Sequence, residues 1–306
     1  MRDSIVDLDA AVLLAHALVA QIAASSEIPC LFIKGPGCRL QGLRPGGTIS
    51  SDVDAWAEPA HAPRLIELLE TRGWARRPRS ELDDFYPVHS VTLYHPSWPC
   101  DIDVHSRFPG MDGEPGSVFA HLWSRRTYVE LAHWPVPLPS LPDHALILAL
   151  HALRTPWSAK GQKELQFLIH SCLPELDFDG LAAIALATGG AGAAAPFLDA
   201  LPGASHPPPS WPDPSDEWLV RTIARSPGSL RLIDIVKSPW RQRPRLILRA
   251  LFPKPETYTA RNLHLDLTDR LTSRRVRLRR LFSGLASVPS ALAETARYVR
   301  ARRSLR

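Results

Sequence analysis

An α+β fold, one helix-covered sheet followed by a helical second half, is what this sequence predicts. Three observations predict it. Helical and strand-like patterns alternate through the first hundred or so residues and end in a hairpin. Beyond Pro142 only helical patterns recur. Two acidic strings, Ser51-Asp52-Val53-Asp54 and Asp101-Ile102-Asp103-Val104-His105, place carboxylates two residues apart within β-branched runs, where i and i+2 share one face of a strand.

The elements follow in order. Val6, Val12, Leu13, Val19 and Ile22 trace a helical stripe through an apolar stretch from Ala10 to Ala24, which predicts an amphipathic first helix. Pro29 to Ile33 reads as a short apolar strand, ended by the turn Lys34-Gly35-Pro36-Gly37 that leads into a short helix near Cys38–Gly42. Arg44-Pro45-Gly46-Gly47 is a loop, and Thr48 to Ala57 a second strand carrying Asp52 and Asp54. Leu65, Ile66, Leu68 and Leu69 mark a helix over Ala62–Arg72, stopped by Gly73. Trp74 to Val88 is polar and carries no clear period. His89 to Tyr94 alternates as a strand, turns at His95-Pro96-Ser97-Trp98-Pro99, and returns over Cys100–Arg107. Further helices are expected over Ala145–Leu153, Glu164–Cys172, Glu217–Ala224, Leu230–Val236 and Arg245–Leu251 and through the last forty residues, with a loosely packed Ala/Gly-rich helix and loop over Leu181–Ala195 and a proline-rich connection over Pro202–Pro214.

Length allows two modest domains, and the change of character places their boundary near residues 130–142: a catalytic part over 1–135 and a helical part over 136–306. The 30 prolines argue for rigid turns and short elements. The formal charge of +5 hides an asymmetry: residues 241–306 hold 17 Lys/Arg against four acids, the preceding residues 19 against 27. An acidic body with a basic tail suits an anionic partner, though such a block is commonly only solvated surface. Cys30, Cys38, Cys100 and Cys172 form no CxxC pair, which excludes zinc-ribbon and thioredoxin readings and fits a cytoplasmic protein. Asp3, Asp7 and Asp9 stand where a signal peptide carries positive charge, and no run reaches the length expected of a membrane span.

Asp52, Asp54 and Asp103 on neighbouring strands would suit magnesium, a hard cation that prefers carboxylate oxygen and bridges substrate phosphates. Whether Asp101 or Asp103 supplies the third carboxylate stays open, since both face one way. Lys34 and Gly35 form a turn that brings backbone N–H groups and a positive charge towards phosphate. Arg44 could offset further phosphate charge. His105 shares the face of Asp103 and could touch phosphate or orient a carboxylate, and His89 lies on the hairpin partner. The spacing of His89, His95 and Asp101 matches no zinc motif, the Gly35 turn lacks the third glycine of a dinucleotide fingerprint, and no GK[ST], GxSxG or HExxH string occurs.

The set Leu31-Phe32-Ile33-Lys34-Gly35, Ser51-Asp52-Val53-Asp54, Leu68-Leu69 with Gly73-Trp74, His89 and Asp103-Val104-His105 resembles the uncharacterised nucleotidyltransferase family of the polymerase-β superfamily. Leu150-His151-Ala152 and Leu251-Phe252-Pro253 look like its helical part. The resemblance implies a mixed sheet with helices, two magnesium ions and transfer of a nucleoside monophosphate from a nucleoside triphosphate. It matches Asp52 and Asp54 to the paired metal ligands, Asp103 to the third carboxylate, which helps bind metal or activates the acceptor, and Gly35 to the phosphate turn; Lys34, Arg44, Ser51, His89 and His105 complete the expected nucleotide-binding set. Lys34-Gly35 departs from the superfamily's Gly-Ser turn. Similar proteins occur beside peptide natural-product pathways, including lasso peptides, so the acceptor is expected to be a peptide or small natural product. Two alternatives are a non-catalytic binding module of the same fold and a toxin-like enzyme that modifies RNA. A nucleic-acid partner is the less favoured, because Phe282 and Tyr298 are the only aromatic residues past Tyr258.

Overall fold

The computed structural model describes residues 6–78, 86–171, 176–204, 210–251 and 286–305. Cys172, Phe252, Pro253, residues 79–85 and residues 252–285 of the basic tail lie outside them. The chain divides into two compact units, one of residues 1–77 with 89–215 and one of residues 78–88 with 216–306.

The first unit is built on a mixed sheet of five strands. Helix α1 (Leu8–Ser25) leads to β1 (Cys30–Ile33), α2 (Gly35–Leu40), β2 (Asp52–Ala57), α3 (Ala62–Glu70), β3 (Ala75–Arg76), β4 (Ser90–Tyr94) and β5 (Asp101–His105). The strand order is β1-β2-β5-β4-β3. Only β2 and β5 run parallel, and their register sets Asp52 beside Asp101 and Asp54 beside Asp103. The expected α+β class, the first helix, the strands and the hairpin are therefore all present, with boundaries moved by a few residues.

Apolar side chains dictate which face the helices cover. Phe32, Val53, Ala55, Ile102 and Val104 point to one side and are buried with Ala11, Val12, Ala15 and Val19 of α1 and Leu65, Ile66 and Leu69 of α3. The alternate positions, among them Asp54, Trp56, Asp103 and His105, occupy the other face. By length and composition α1 is apolar enough to cross a membrane, contrary to the sequence expectation. Its place in this core accounts for that apolarity.

Four elements were not expected from the sequence, β3 among them. After α4 (Pro115–Ser124) a second hairpin pairs β6 (Thr127–Leu131) with β7 (Trp134–Leu138). Its two-residue turn has positive φ at both Ala132 (47°) and His133 (61°), positions where Asn or Gly would have announced the turn. Pro135 and Pro137 make β7 read as non-strand, yet a two-stranded ribbon has only edge strands, which tolerate them.

The unit continues through α5 (Leu141–Leu153), α6 (Ala159–Ser171), α7 (Phe178–Ala187) and α8 (Ala191–Leu198). Gly189 separates the last two. It has φ +69°, and a Cβ there would lie 2.5 Å from the Gly113 nitrogen. Gly189→Ala is thus expected to cost about 1–3 kcal/mol through overpacking at a backbone neighbour that cannot retreat. The urea midpoint should fall with the slope unchanged, and an unaltered midpoint would contradict this packing.

The second unit contains α9 (Asp216–Ile223), α10 (Pro227–Lys237), α11 (Arg243–Leu251) and α12 (Val288–Ser304). Val220, Ala224, Ile233 and Tyr298 form its core, with Tyr86 packed against them. The Arg221 guanidinium lies 3.9 Å from the Tyr86 ring centroid. Tyr298 donates its hydroxyl proton to Asp216, which also pairs with Lys237.

Candidate functional site

The site grows out of the parallel β2–β5 pair. Asp54 and Asp103 are register partners, and His105 lies two residues beyond Asp103 on the same face. One potential ligand atom from each of these three residues falls within 4.8 Å of the others. Asp54 is buried, and its Oδ1 accepts from His105 Nε2 at 2.9 Å and from Lys34 Nζ at 2.5 Å. Asp103 is half-buried, and its Oδ1 is shielded from solvent without a hydrogen-bond partner among the described residues.

Burial alone would raise the Asp54 pKa. The Lys34 charge and the His105 hydrogen bond outweigh it and hold the carboxyl well below the ordinary carboxylate range. Asp52, two residues back on the same strand face, is pushed the other way, first by burial and then by the Asp54 charge. Ser50 Oγ lies 3.5 Å from Asp52 Oδ1, while the adjacent Ser51 is exposed. Asp52 is absent from the closest ligand group, whose third member is His105.

Asp101 has a different fate from Asp103. Arg77 grips it with a two-pronged contact, Nε to Oδ2 and Nη2 to Oδ1, both at 2.9 Å. That leaves Asp103 as the β5 carboxylate beside Asp54. Of the other sequence candidates, Arg44 pairs with Glu164 of α6, and His89 stacks obliquely on His105 with ring centroids 5.9 Å apart.

Lys34 and Gly35 end β1 in an unusual way. Lys34 has φ 61° and ψ −148°, and Gly35 has φ +56°. A lysine there carries strain of about 1–3 kcal/mol, which persists only where surrounding contacts impose it. One such contact is buried: the Lys34 N–H donates to His144 Nε2 at 2.8 Å. His144 Nδ1 donates in turn to Gln41 Oε1 at 2.6 Å, and the Cys38 thiol lies 3.1 Å from Nε2. Burial lowers the His144 pKa to about 3, which keeps Nε2 an acceptor, and raises the Cys38 pKa to about 12, which keeps the thiol protonated. Gly35 faces His16, whose Nε2 would be 3.1 Å from an added Cβ. His16 Nδ1 donates to the Val12 carbonyl at 2.7 Å, and burial lowers the ring's pKa to about 4.

His144, His16, Gln41 and Arg77 were not singled out from the sequence. The available signals were His16, which interrupts the apolar run of α1, and His144 beside an acid inside the apolar run of α5, since a polar residue in such a run must find a buried partner.

The donor set suits a divalent cation. The two carboxylates suit a hard cation such as magnesium, an imidazole suits a first-row ion, and the shielded Asp103 Oδ1 is an acceptor that still wants a positive partner. Lys34 already supplies one positive charge to Asp54.

The sequence matches the family model described as "Uncharacterised nucleotidyltransferase" over residues 7–189. No curated protein matches it. Among solved structures it is similar to an antigenic nucleotidyltransferase-like protein from Paracoccidioides brasiliensis, with 16% identity, a TM-score of 0.40 and coverage of 62% of this chain and 93% of that one. It is also similar to the antibiotic-resistance factor ANT(2'')-Ia, with 12% identity, a TM-score of 0.39 and coverage of 58% and 89%. A CCA-adding enzyme in complex with ATP aligns at 15% identity and a TM-score of 0.27, over 87% of this chain and 65% of that one. Likenesses this distant carry no argument about substrate.

Proposed function

The chain belongs to the family of uncharacterised nucleotidyltransferases, and from that premise we propose that it moves a nucleoside monophosphate from a nucleoside triphosphate to an acceptor hydroxyl or phosphate. The observation that carries the reading is the convergence of Asp54, Asp103 and His105 across the parallel strand pair. These three would hold a divalent cation, magnesium being the first candidate, with Asp52 on the same face as the further carboxylate that a second ion would need. A bound divalent cation neutralises triphosphate charge and favours departure of pyrophosphate.

The remaining work falls to the chain's own side chains. The acceptor oxygen forms a bond to the α-phosphorus while the bond to the bridging oxygen of pyrophosphate breaks. The proton of an acceptor hydroxyl passes to a carboxylate, and the Asp103 Oδ1 that has no hydrogen-bond partner among the described residues supports giving Asp103 this role. Lys34, on its flexible stem, can carry positive charge to the leaving phosphates. The acceptor we favour is a peptide or small hydroxylated natural product in the cytoplasm.

One observation favours a second reading, a non-catalytic binding module: Lys34 already engages Asp54, and Arg44 is spent on Glu164. Incubation with α-labelled nucleoside triphosphates, a divalent cation and panels of peptides, small alcohols and transfer RNA separates the two. Cation-dependent label transfer supports the enzyme. Its absence, together with no calorimetric binding of magnesium-nucleotide, supports the module.

A further inference from the structure

We infer that Lys34 is an internal counter-ion of Asp54, which holds the site closed until a divalent cation displaces it. The inference rests on the cation cage proposed above. Lys34 Nζ sits 2.5 Å from Asp54 Oδ1, the oxygen that His105 Nε2 also meets. The two side chains are only 12% and 3% exposed, so solvent screens their attraction weakly. A divalent ion bonded to Asp54 and an ammonium at hydrogen-bond range of the same carboxylate repel one another there. The two cations therefore compete for Asp54.

The lysine is held at its post rather than fallen into it. Its backbone has a φ of 61° that L-residues avoid, and its N–H is tied to the buried ring of His144. His144 is fixed from its other side by Gln41. The Lys34 backbone is thus pinned through its N–H, which leaves the four-carbon stem as the part able to swing. An ammonium on such a stem can leave one partner for another without dismantling a planar two-pronged contact like that of Arg77 on Asp101. When it leaves, the charge becomes available to phosphate oxygen, so cation loading and phosphate capture are coupled through one side chain.

The test uses the full chain and Mn2+ alone, titrated by electron paramagnetic resonance. Lys34→Met should bind Mn2+ at least about tenfold more tightly than the wild type, since the competitor is gone. In the wild type, saturating Mn2+ should raise acetylation of Lys34 by acetic anhydride several-fold, read by mass spectrometry. This second measurement does not depend on the variant folding. Mn2+ affinity that is equal or weaker in a folded Lys34→Met, or Lys34 acetylation unmoved by Mn2+, would overturn the counter-ion role. Tight and equal binding in both proteins would leave the cage standing and remove only the counter-ion. Failure of Mn2+ to bind either protein would remove both.

Discussion

Asp54→Asn and Asp103→Asn are expected to abolish label transfer alike and yet to differ sharply in stability. Asp54 is buried and accepts from both Lys34 and His105, so its neutralisation unpairs Lys34 in a poorly solvated place. Unpairing a buried ion pair costs about 3–5 kcal/mol, and the mobile lysine stem puts this case near the lower end. Asp103 contributes a shielded oxygen with no hydrogen bond among the described residues, so Asp103→Asn removes a charge that the metal-free fold does not use. Its stability in EDTA should match or exceed that of the wild type. Urea denaturation beside the label-transfer assay checks both. An active Asp103→Asn, or an Asp54→Asn as stable as the wild type, would contradict the assigned geometry.

The second large effect is acid sensitivity. His16 and His144 are fully buried, and burial lowers their pKa values to about 4 and about 3 from an ordinary 6.5. His151 is shifted downward for the same first reason. Below the unfolded value the unfolded chain takes up protons that the native chain refuses, so native stability falls as pH falls. The loss begins near pH 6.5 and runs down to about pH 4 for His16 and about pH 3 for His144. Each histidine contributes a slope of roughly 1.4 kcal/mol per pH unit within its window. Asp54 adds nothing between pH 7 and 5, because its depressed pKa places its loss below the ordinary carboxylate range. Urea midpoints at pH 7.5, 6 and 5 should therefore drop steeply, and His16→Gln, if it folds, should flatten the slope. A flat profile between pH 7.5 and 5 would mean that these rings are not buried neutral.

Particular residues show what was legible in the sequence. Asp52, Asp54, Asp101 and Asp103 were readable because a strand's two-residue period is a local property. Their convergence was an expectation, while which residues stand side by side was not legible, because the parallel register joins segments about fifty residues apart. What sets Asp101 apart from Asp103 is its contact with Arg77, in a stretch whose polar composition concealed a short edge strand. His105 was legible as a neighbour of Asp103, but its place beside Asp54 in the closest ligand group depends on the same long-range pairing. His144 was invisible for a comparable reason: its bond to the Lys34 amide spans 110 residues. The β6–β7 hairpin escaped because Ala132 and His133 adopt positive φ without the residues that normally mark it.

The convergence of Asp54, Asp103 and His105 into a cation site is the claim on which the functional reading stands. The direct measurement is anomalous diffraction from crystals of the full chain grown with Mn2+. The account predicts an anomalous peak within bonding distance of all three residues, with the Lys34 ammonium moved off Asp54. A peak elsewhere, or Asp54 still paired to Lys34 with no ion at saturating Mn2+, would contradict it.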